Sequence, residues 1–190
     1  MTTSKISPIK LRQFLVTVHL LFAAFMTPAF FLVAISGGLY LFGNKGQTMA
    51  QMIELPASAA LDFKSDTLDA DVRALLADAG ITHRFEYVKT RGNDKIHLRP
   101  TSRRYIEMNQ TKDGLRAAFM TPNLQGSMIE LHKGHGPKLF KLYQKLVAFA
   151  LIIVVFGGVL VGLLARAYRR KTVISLALGT AVFLILAIFA

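Results

Sequence analysis

Three apolar runs and one polar segment organise this chain. Phe14–Phe42, Leu146–Ala165 and Val173–Ala190 contain no Asp, Glu, Lys or Arg, and all 11 acidic residues fall between Glu54 and Glu130. About 20 apolar residues at ~1.5 Å rise cross a ~30 Å hydrocarbon core. The pattern therefore predicts an α-helical membrane protein with three transmembrane helices and one inserted polar domain. By residue number the expected organisation is a lead over 1–12, a first span over 13–43 and a polar domain over 44–137. An interfacial turn with the second span covers 138–166, a short turn 167–171 and the third span 172–190. The first run is longer than a bilayer requires and carries Pro28, which lacks a backbone N–H. A hydroxyl such as that of Thr27 is expected to cover the carbonyl this frees. A cleaved secretory leader is the competing reading of the first run, but its apolar stretch is nearly twice the usual ~7–15 residues.

The polar segment changes period along its length. From Asp66 to Ala79, apolar residues Leu68, Val72, Leu75, Leu76 and Ala79 recur at helical spacing, so one face of a helix is apolar. Ser65 or Thr67 can cap its start and Gly80 its end. Four short runs rich in β-branched and aromatic residues follow: Thr82–Thr90, Lys95–Ser102, Arg103–Thr111 and Leu115–Thr121. Turn residues at Arg91-Gly92-Asn93-Asp94 and Lys112-Asp113-Gly114 separate several of them. The economical fold is α+β, one helix laid on an antiparallel sheet of three or four strands, each strand burying one face and wetting the other. Gln47–Lys64 is expected to be an irregular connection.

Composition sharpens this picture in two ways. The net charge of +12 is not a property of the polar domain, because the segment from Asn44 to Lys138 is only mildly positive. The remaining basic residues flank the apolar runs: Lys5, Lys10 and Arg12 precede the first, while Arg166, Arg169, Arg170 and Lys171 lie between the second and third. Positive charge concentrates in short cytoplasmic segments, and two crossings separate these clusters. The expectation is N-terminus inside, residues 44–137 outside, the Arg166–Lys171 turn inside and the C-terminus outside. With the basic residues at membrane edges, nucleic-acid binding is not expected. The chain also has no cysteine, which excludes disulfides, thiolate metal sites and cysteine catalysis.

Contact residues can be read from spacing. Lys138, Lys141 and Lys145 recur at helical intervals after Pro137, suited to a headgroup layer, and Arg166, Arg169, Arg170 and Lys171 suit the opposite interface. Gly158 with Gly162 and Ser175 with Gly179 are four-residue small pairs that permit close helix approach, and Ser36, Gly37 and Gly38 offer the same in the first span. The lipid bilayer, other membrane subunits or further copies of the chain are the implied partners.

Two stretches also carry a family resemblance. His19 followed by Ile35-Ser36-Gly37-Gly38, and Glu130-Leu131-His132-Lys133-Gly134-His135-Gly136 leading to Phe156-Gly157-Gly158, resemble the helices of the PepSY-associated transmembrane family. The segment between them resembles a PepSY domain. That resemblance implies a bacterial inner-membrane protein whose residues 44–137 and C-terminus are periplasmic. Some larger relatives, with four membrane helices, are similar to reductases that hold haem between helix histidines and release iron from siderophores. Three roles follow as expectations. The favoured one is a non-catalytic accessory or assembly subunit bound to a larger membrane or periplasmic partner. The alternatives are a redox protein holding haem b, and a module that regulates a peptidase.

The candidate chemistry is sparse. His19 lies about five residues inside the first span, ~8 Å at helical rise, whereas His132 and His135 lie beyond the opposite edge of a ~30 Å core, so more than roughly 20 Å should separate them. Bis-histidine haem ligation would then need a second copy or a partner's ligand; the competing role for His19 is a hydrogen bond to a neighbouring helix. Glu130, His132 and His135 offer metal or haem contacts, against a solvated loop in which Gly134 and Gly136 oppose a helix. Arg99, Arg103 and Arg104 could clamp an anion, against a solvated face. His83 and His97 read as strand surface residues. No HExxH, G-x-S-x-G or intramembrane carboxylate pair is present.

Overall fold

The computed structural model describes residues 8–189; Lys5 of the expected lead and Ala190 at the end of the third run lie outside them. Among the described residues, α1 (Pro8–Leu41), α4 (Lys138–Leu164) and α5 (Arg166–Phe189) are long and apolar enough to cross a membrane. Between α1 and α4 come β1 (Thr48–Ile53), α2 (Leu68–Asp78), β2 (Tyr87–Arg91) and β3 (Lys95–Arg99). These are followed by β4 (Tyr105–Thr111), β5 (Gly114–Pro122) and α3 (Leu124–His132). Two compact units result, one of residues 29–144 and one made of the chain before Ala29 and after Gln144.

The first unit is built on an antiparallel sheet in the order β1-β5-β4-β3-β2. Leu68, Val72 and Leu76 stand one helical turn apart on α2 and pack on Ile96, Leu98, Ile106 and Met108. Fully burying one such side chain contributes about 1.5–3 kcal/mol, so this contact is the apolar core of the unit. The end of α2 is set by Gly80 at φ +67. It lets the Ile81 amide reach Leu76 O at 2.8 Å and its own amide reach Ala77 O at 2.9 Å, which satisfies the last carbonyls. At the start, Thr67 occupies the cap position, but its hydroxyl donates to Asp71 Oδ2 at 2.9 Å and caps no backbone amide.

Several expected boundaries are corrected. The sheet has five strands, because the stretch read as an irregular connection contains β1, paired from Thr48↔Pro122 to Ile53↔Ala117. Residues 82–86 are not strand: Phe85 turns into the core, with the Arg73 guanidinium 3.9 Å over its ring. Glu130 and His132 lie on α3, not in a loop; Gly134 at φ +76 follows the helix and terminates it. The turn expected over 167–171 is helical, and only Ala165 separates α4 from α5. Arg169 folds back so that its Nε donates to Leu163 O at 2.8 Å, supplying a cation and a donor to the α4 C-terminus. That local satisfaction lets the second helix begin at once.

The other unit contains the start of α1, most of α4 and α5. Met26, Ala150 and Val154 are buried together. α1 runs unbroken through Pro28. The Thr27 hydroxyl donates to Ala23 O at 2.9 Å, one carbonyl before that of Ala24, which Pro28 deprives of its usual donor. Gly162 is close-packed on the Thr172 side chain, whereas nothing lies within 4 Å of where a Cβ on Gly179 would sit. α5 buries no residue.

Leu98 is fully buried between β3 and α2. Leu98→Ala is expected to destabilise the sheet unit by about 2–5 kcal/mol. Hydrogen exchange of the β3 and β4 amides read by mass spectrometry should show that loss of protection, with α5 amides unchanged.

Candidate functional site

Strand alternation gives the sheet two unlike faces. Ile96 and Leu98 point to α2, so His97 and Arg99 point to the opposite face, and both are buried there, at 4% and 7% exposure. Cross-strand register puts Lys89 opposite His97, Arg91 opposite Lys95, Tyr87 opposite Arg99 and Glu107 opposite His97 on this second face. The expectation of one wetted face fails here because α3 and the chain after it roof part of that face.

α3 is positioned by short polar contacts. The Asn123 side chain accepts from Gly126 N at 2.8 Å and from Gln47 N at 3.1 Å, tying the helix start to the entry of β1. Gly46 sits at φ +74 against the Gly126 backbone, where a Cβ would collide with main-chain atoms, so only glycine fits. Gln125 Nε2 donates to Ser36 O at 3.0 Å and Asn44 O at 3.1 Å, which fixes the last turns of α1 to α3. Beyond α3, Glu86 Oε2 accepts from Lys138 N at 2.8 Å and so places an anion at the N-terminus of α4. Pro137 lies just before that helix, not in its first turn.

Beneath this roof runs a continuous polar chain. Arg99 Nη1 donates to Thr101 Oγ1 at 2.6 Å, the Thr101 hydroxyl donates to Glu130 Oε2, and His135 Nδ1 donates to the same oxygen at 2.8 Å. Arg99 Nη1 is itself 3.5 Å from Glu130 Oε2. Burial works to raise the Glu130 pKa, but the hydrogen bonds from Thr101 and His135 and the charges of His135 and Arg99 win, leaving it below its ordinary value. Alongside, Glu107 sits 2.9 Å from Lys95 Nζ and 2.8 Å from His97 Nε2. The His97 contact is close but poorly aligned, so we count it as an electrostatic approach and not as a hydrogen bond. Burial, and then the arginine charges against Glu107's pull, hold His97 below its ordinary value. The Tyr105 ring stands 5.5 Å from His97, and burial with the Glu107 and Glu130 charges pushes its hydroxyl up to about 12, so it stays a donor.

A cavity of ≈ 390 Å³ opens on this network, lined by Lys45, Lys89, Arg91, Arg99, Lys133 and Glu130 among others. Cations exceed carboxylates on its wall, and the buried Arg99 Nε has no hydrogen-bond partner.

The candidate ligand residues separate. His135 joins Glu130, whereas His132 turns to α1, its Nδ1 lying 3.1 Å from Ser36 Oγ. That imidazole passes Gly37 at a distance where a Cβ would make only ordinary van der Waals contact, and nothing approaches Gly38. Glu130, His132 and His135 therefore do not converge, and among the described residues no group of three His, Cys, Asp or Glu is disposed to hold a metal ion. Of the three arginines, only Arg99 enters the network; β3 ends there, Arg103 is exposed, and Arg104 stacks 3.9 Å over Phe119. His83 lies outside any strand, edge-on to Phe119. Lys141, expected at a headgroup layer, reaches the Tyr87 hydroxyl and lies 4.5 Å from that ring. Lys138 and Lys145 are exposed, as are Arg166, Arg169, Arg170 and Lys171 on α5.

In the helical unit, His19 Nδ1 donates to Val154 O at 3.1 Å. Gly158 makes this approach possible, since a Cβ there would stand 3.1 Å from His19 Cε1. A carbonyl only accepts, so the proton sits on Nδ1 and the other ring nitrogen is left as the ligand-competent one. If a haem were held here, His19 is the residue that would hold it, through its other ring nitrogen; α4 and α5 carry no histidine to add a second ligand. Ser175 is exposed, so with Gly179 it forms a small-residue face that no helix covers among the described residues.

Comparison with protein-family models, with characterised proteins and with solved structures gives no match.

The network makes stability depend on pH. Both Glu130 and His97 are held below their ordinary values of 4.5 and 6.5. A depressed pKa contributes stability that is complete above the ordinary value and lost as pH falls through the depressed one. Thermal unfolding should therefore shift to lower temperature between pH 7 and pH 4. Glu130→Gln should lower stability at pH 7 by about 1–3 kcal/mol, since Arg99 loses its carboxylate, and should flatten the most acidic part of that profile.

Proposed function

We propose that this chain is a membrane-anchored, non-catalytic accessory or assembly subunit of the PepSY-associated kind, residing in a bacterial inner membrane. Its N-terminus is cytoplasmic, and residues 44–137 and the C-terminus are periplasmic; the clusters of Lys and Arg at the ends of the apolar runs support that orientation.

The observation that carries the partner reading is α5. This helix of 24 residues buries none of them, Ser175 is exposed, and among the described residues nothing lies within 4 Å of where a Cβ on Gly179 would sit. Small-residue faces let helices approach closely in lipid, where packing and not hydrophobic exclusion drives association. A second exposed element points the same way. β1 is an edge strand with Met49 and Met52 at 74% and 65% exposure, and an open edge with adaptable side chains suits protein contact. Crosslinking mass spectrometry in native membranes should return links from the α5 end and from Lys45 to one larger protein or to a second copy. A chain recovered solitary and monomeric under gentle extraction would count decisively against this role. Replacing Gly179 by leucine should weaken the association at least about tenfold if the small face is the contact.

A second reading is favoured by His19 alone: a haem-binding redox subunit. Its Nδ1–H to Val154 O bond orients the ring as metal-ligating histidines are commonly oriented, with the far nitrogen free. Haem b, when bound, would supply one-electron transfer; a second histidine to hold it would come from another copy or from the partner. Membranes from cells given ample haem should then show a reduced-minus-oxidised Soret difference that His19→Ala abolishes. Absence of that signal in the intact complex removes this reading.

A further inference from the structure

We propose that the cationic cavity on the second face of the sheet is a binding site for an oxyanion, the phosphate or carboxylate group of a small molecule. Four observations converge on it, and none involves α5 or His19. First, the wall carries Lys45, Lys89, Arg91, Arg99 and Lys133 against one lining carboxylate, Glu130. That carboxylate lies 3.5 Å from Arg99 Nη1 and answers that one cation, which leaves Lys45, Lys89, Arg91 and Lys133 without a carboxylate on the wall.

Second, the register sets like charges directly opposite on adjacent strands. Arg91 faces Lys95. Such pairs destabilise a sheet unless an anion lies between or above them. Lys95 has Glu107 to answer it, but Lys89 and Arg91 have no carboxylate partner among the described ion pairs. Third, the Arg99 side chain is 8% exposed and its Nε is unpartnered. A buried guanidinium donor left open is costly, and a ligand oxygen would satisfy it. Arginine and lysine together are the usual donors to phosphate and carboxylate, the first by its planar fork and the second as a point charge. Fourth, the volume of ≈ 390 Å³ lies within the range of small-molecule sites, and the wall includes the Tyr105 side chain as a neutral donor.

The proposal is one of binding and requires no chemistry on the ligand. Binding would order the Lys89–Arg91 end of β2, an edge strand, against the rest of the second face.

The test uses the full chain in nanodiscs, with pyrophosphate as probe and isothermal titration calorimetry as readout. In phosphatidylcholine nanodiscs saturable binding at one site per chain is expected. Lys89→Ala with Arg91→Ala should weaken it at least about tenfold, while Lys112→Ala with Arg116→Ala, an equal loss of charge outside the cavity, should leave it within about twofold. Circular dichroism of both double variants checks that the fold is kept; all four side chains are exposed and lie outside the core. Repeating the titration with a third of the lipid as phosphatidylglycerol separates two sources of the same chemistry. Unchanged binding assigns the site to a soluble anion, and binding abolished by the anionic lipid assigns it to a headgroup phosphate. No saturable binding in phosphatidylcholine, or equal weakening in both double variants, overturns the proposal.

Discussion

Arg99 is the group on which the arrangement of the sheet unit depends. Its position in β3, one residue beyond Leu98, forces its side chain to the face away from α2, and there it is buried beneath α3. An arginine cannot shed its charge, so the surroundings must answer it. They do so through Thr101 and Glu130, and Glu130 draws in His135. That one requirement links the end of β3, the turn after it, α3 and the chain that leads to α4. The His135 carbonyl also accepts from Thr101 N at 3.2 Å, so backbone and side chains bind the same two segments.

The two faces of the sheet are therefore held by different physics. Under α2 the contact is apolar, non-directional and tolerant of small changes in shape. Under α3 it is directional, and each member depends on the next, so removing one leaves another buried without a partner. The same division is seen in the helices. In the helical unit Met26, Ala150 and Val154 pack by shape, and the polar tie from α1 to α4, His19 to Val154 O, is made where Gly158 leaves room for the ring. In lipid such a tie has no competing water, which makes a lone hydrogen bond between helices a positional constraint more than a source of stability.

What the sequence made legible follows the same line. The three long apolar helices, α2 and the two tight turns of the meander could be read because each rests on local periodicity or on residues with a fixed backbone preference. β1 could not: its partner β5 is far along the chain, and Thr48–Ile53 alternates only weakly between apolar and polar. α3 was hidden for a different reason, since the glycines after His132 were taken to dissolve a helix when they in fact end one. The cavity escaped because His97 and Arg99, read by alternation, fall on a face expected to be wet. The signal was present in the order Lys89, Arg91, Lys95, His97, Arg99 on two strands joined by a turn, which any antiparallel pairing brings to one surface. It lacked only the knowledge that α3 would cover part of it. Ser36 and His132 were each singled out, but their contact depends on the α1–α3 junction that Gln125 makes, and no spacing rule reaches across that distance.

A charged second face is not what stability alone would select. Burying a guanidinium costs several kcal/mol in desolvation, and a well-packed apolar replacement of a buried ion pair is often neutral or more stable. The apolar core under α2 already supplies a closed interior, so the unit does not need Arg99 in order to fold around something. Yet like charge is added on the same face, because Arg91 and Lys95 are set opposite each other. An arrangement that is unfavourable in isolation and becomes favourable when negative charge arrives is the physical definition of a preorganised anion site. The same reasoning gives no comparable meaning to the apolar surface of α5, whose exposure lipid alone would satisfy; there the argument rests on the small-residue face, which lipid does not require.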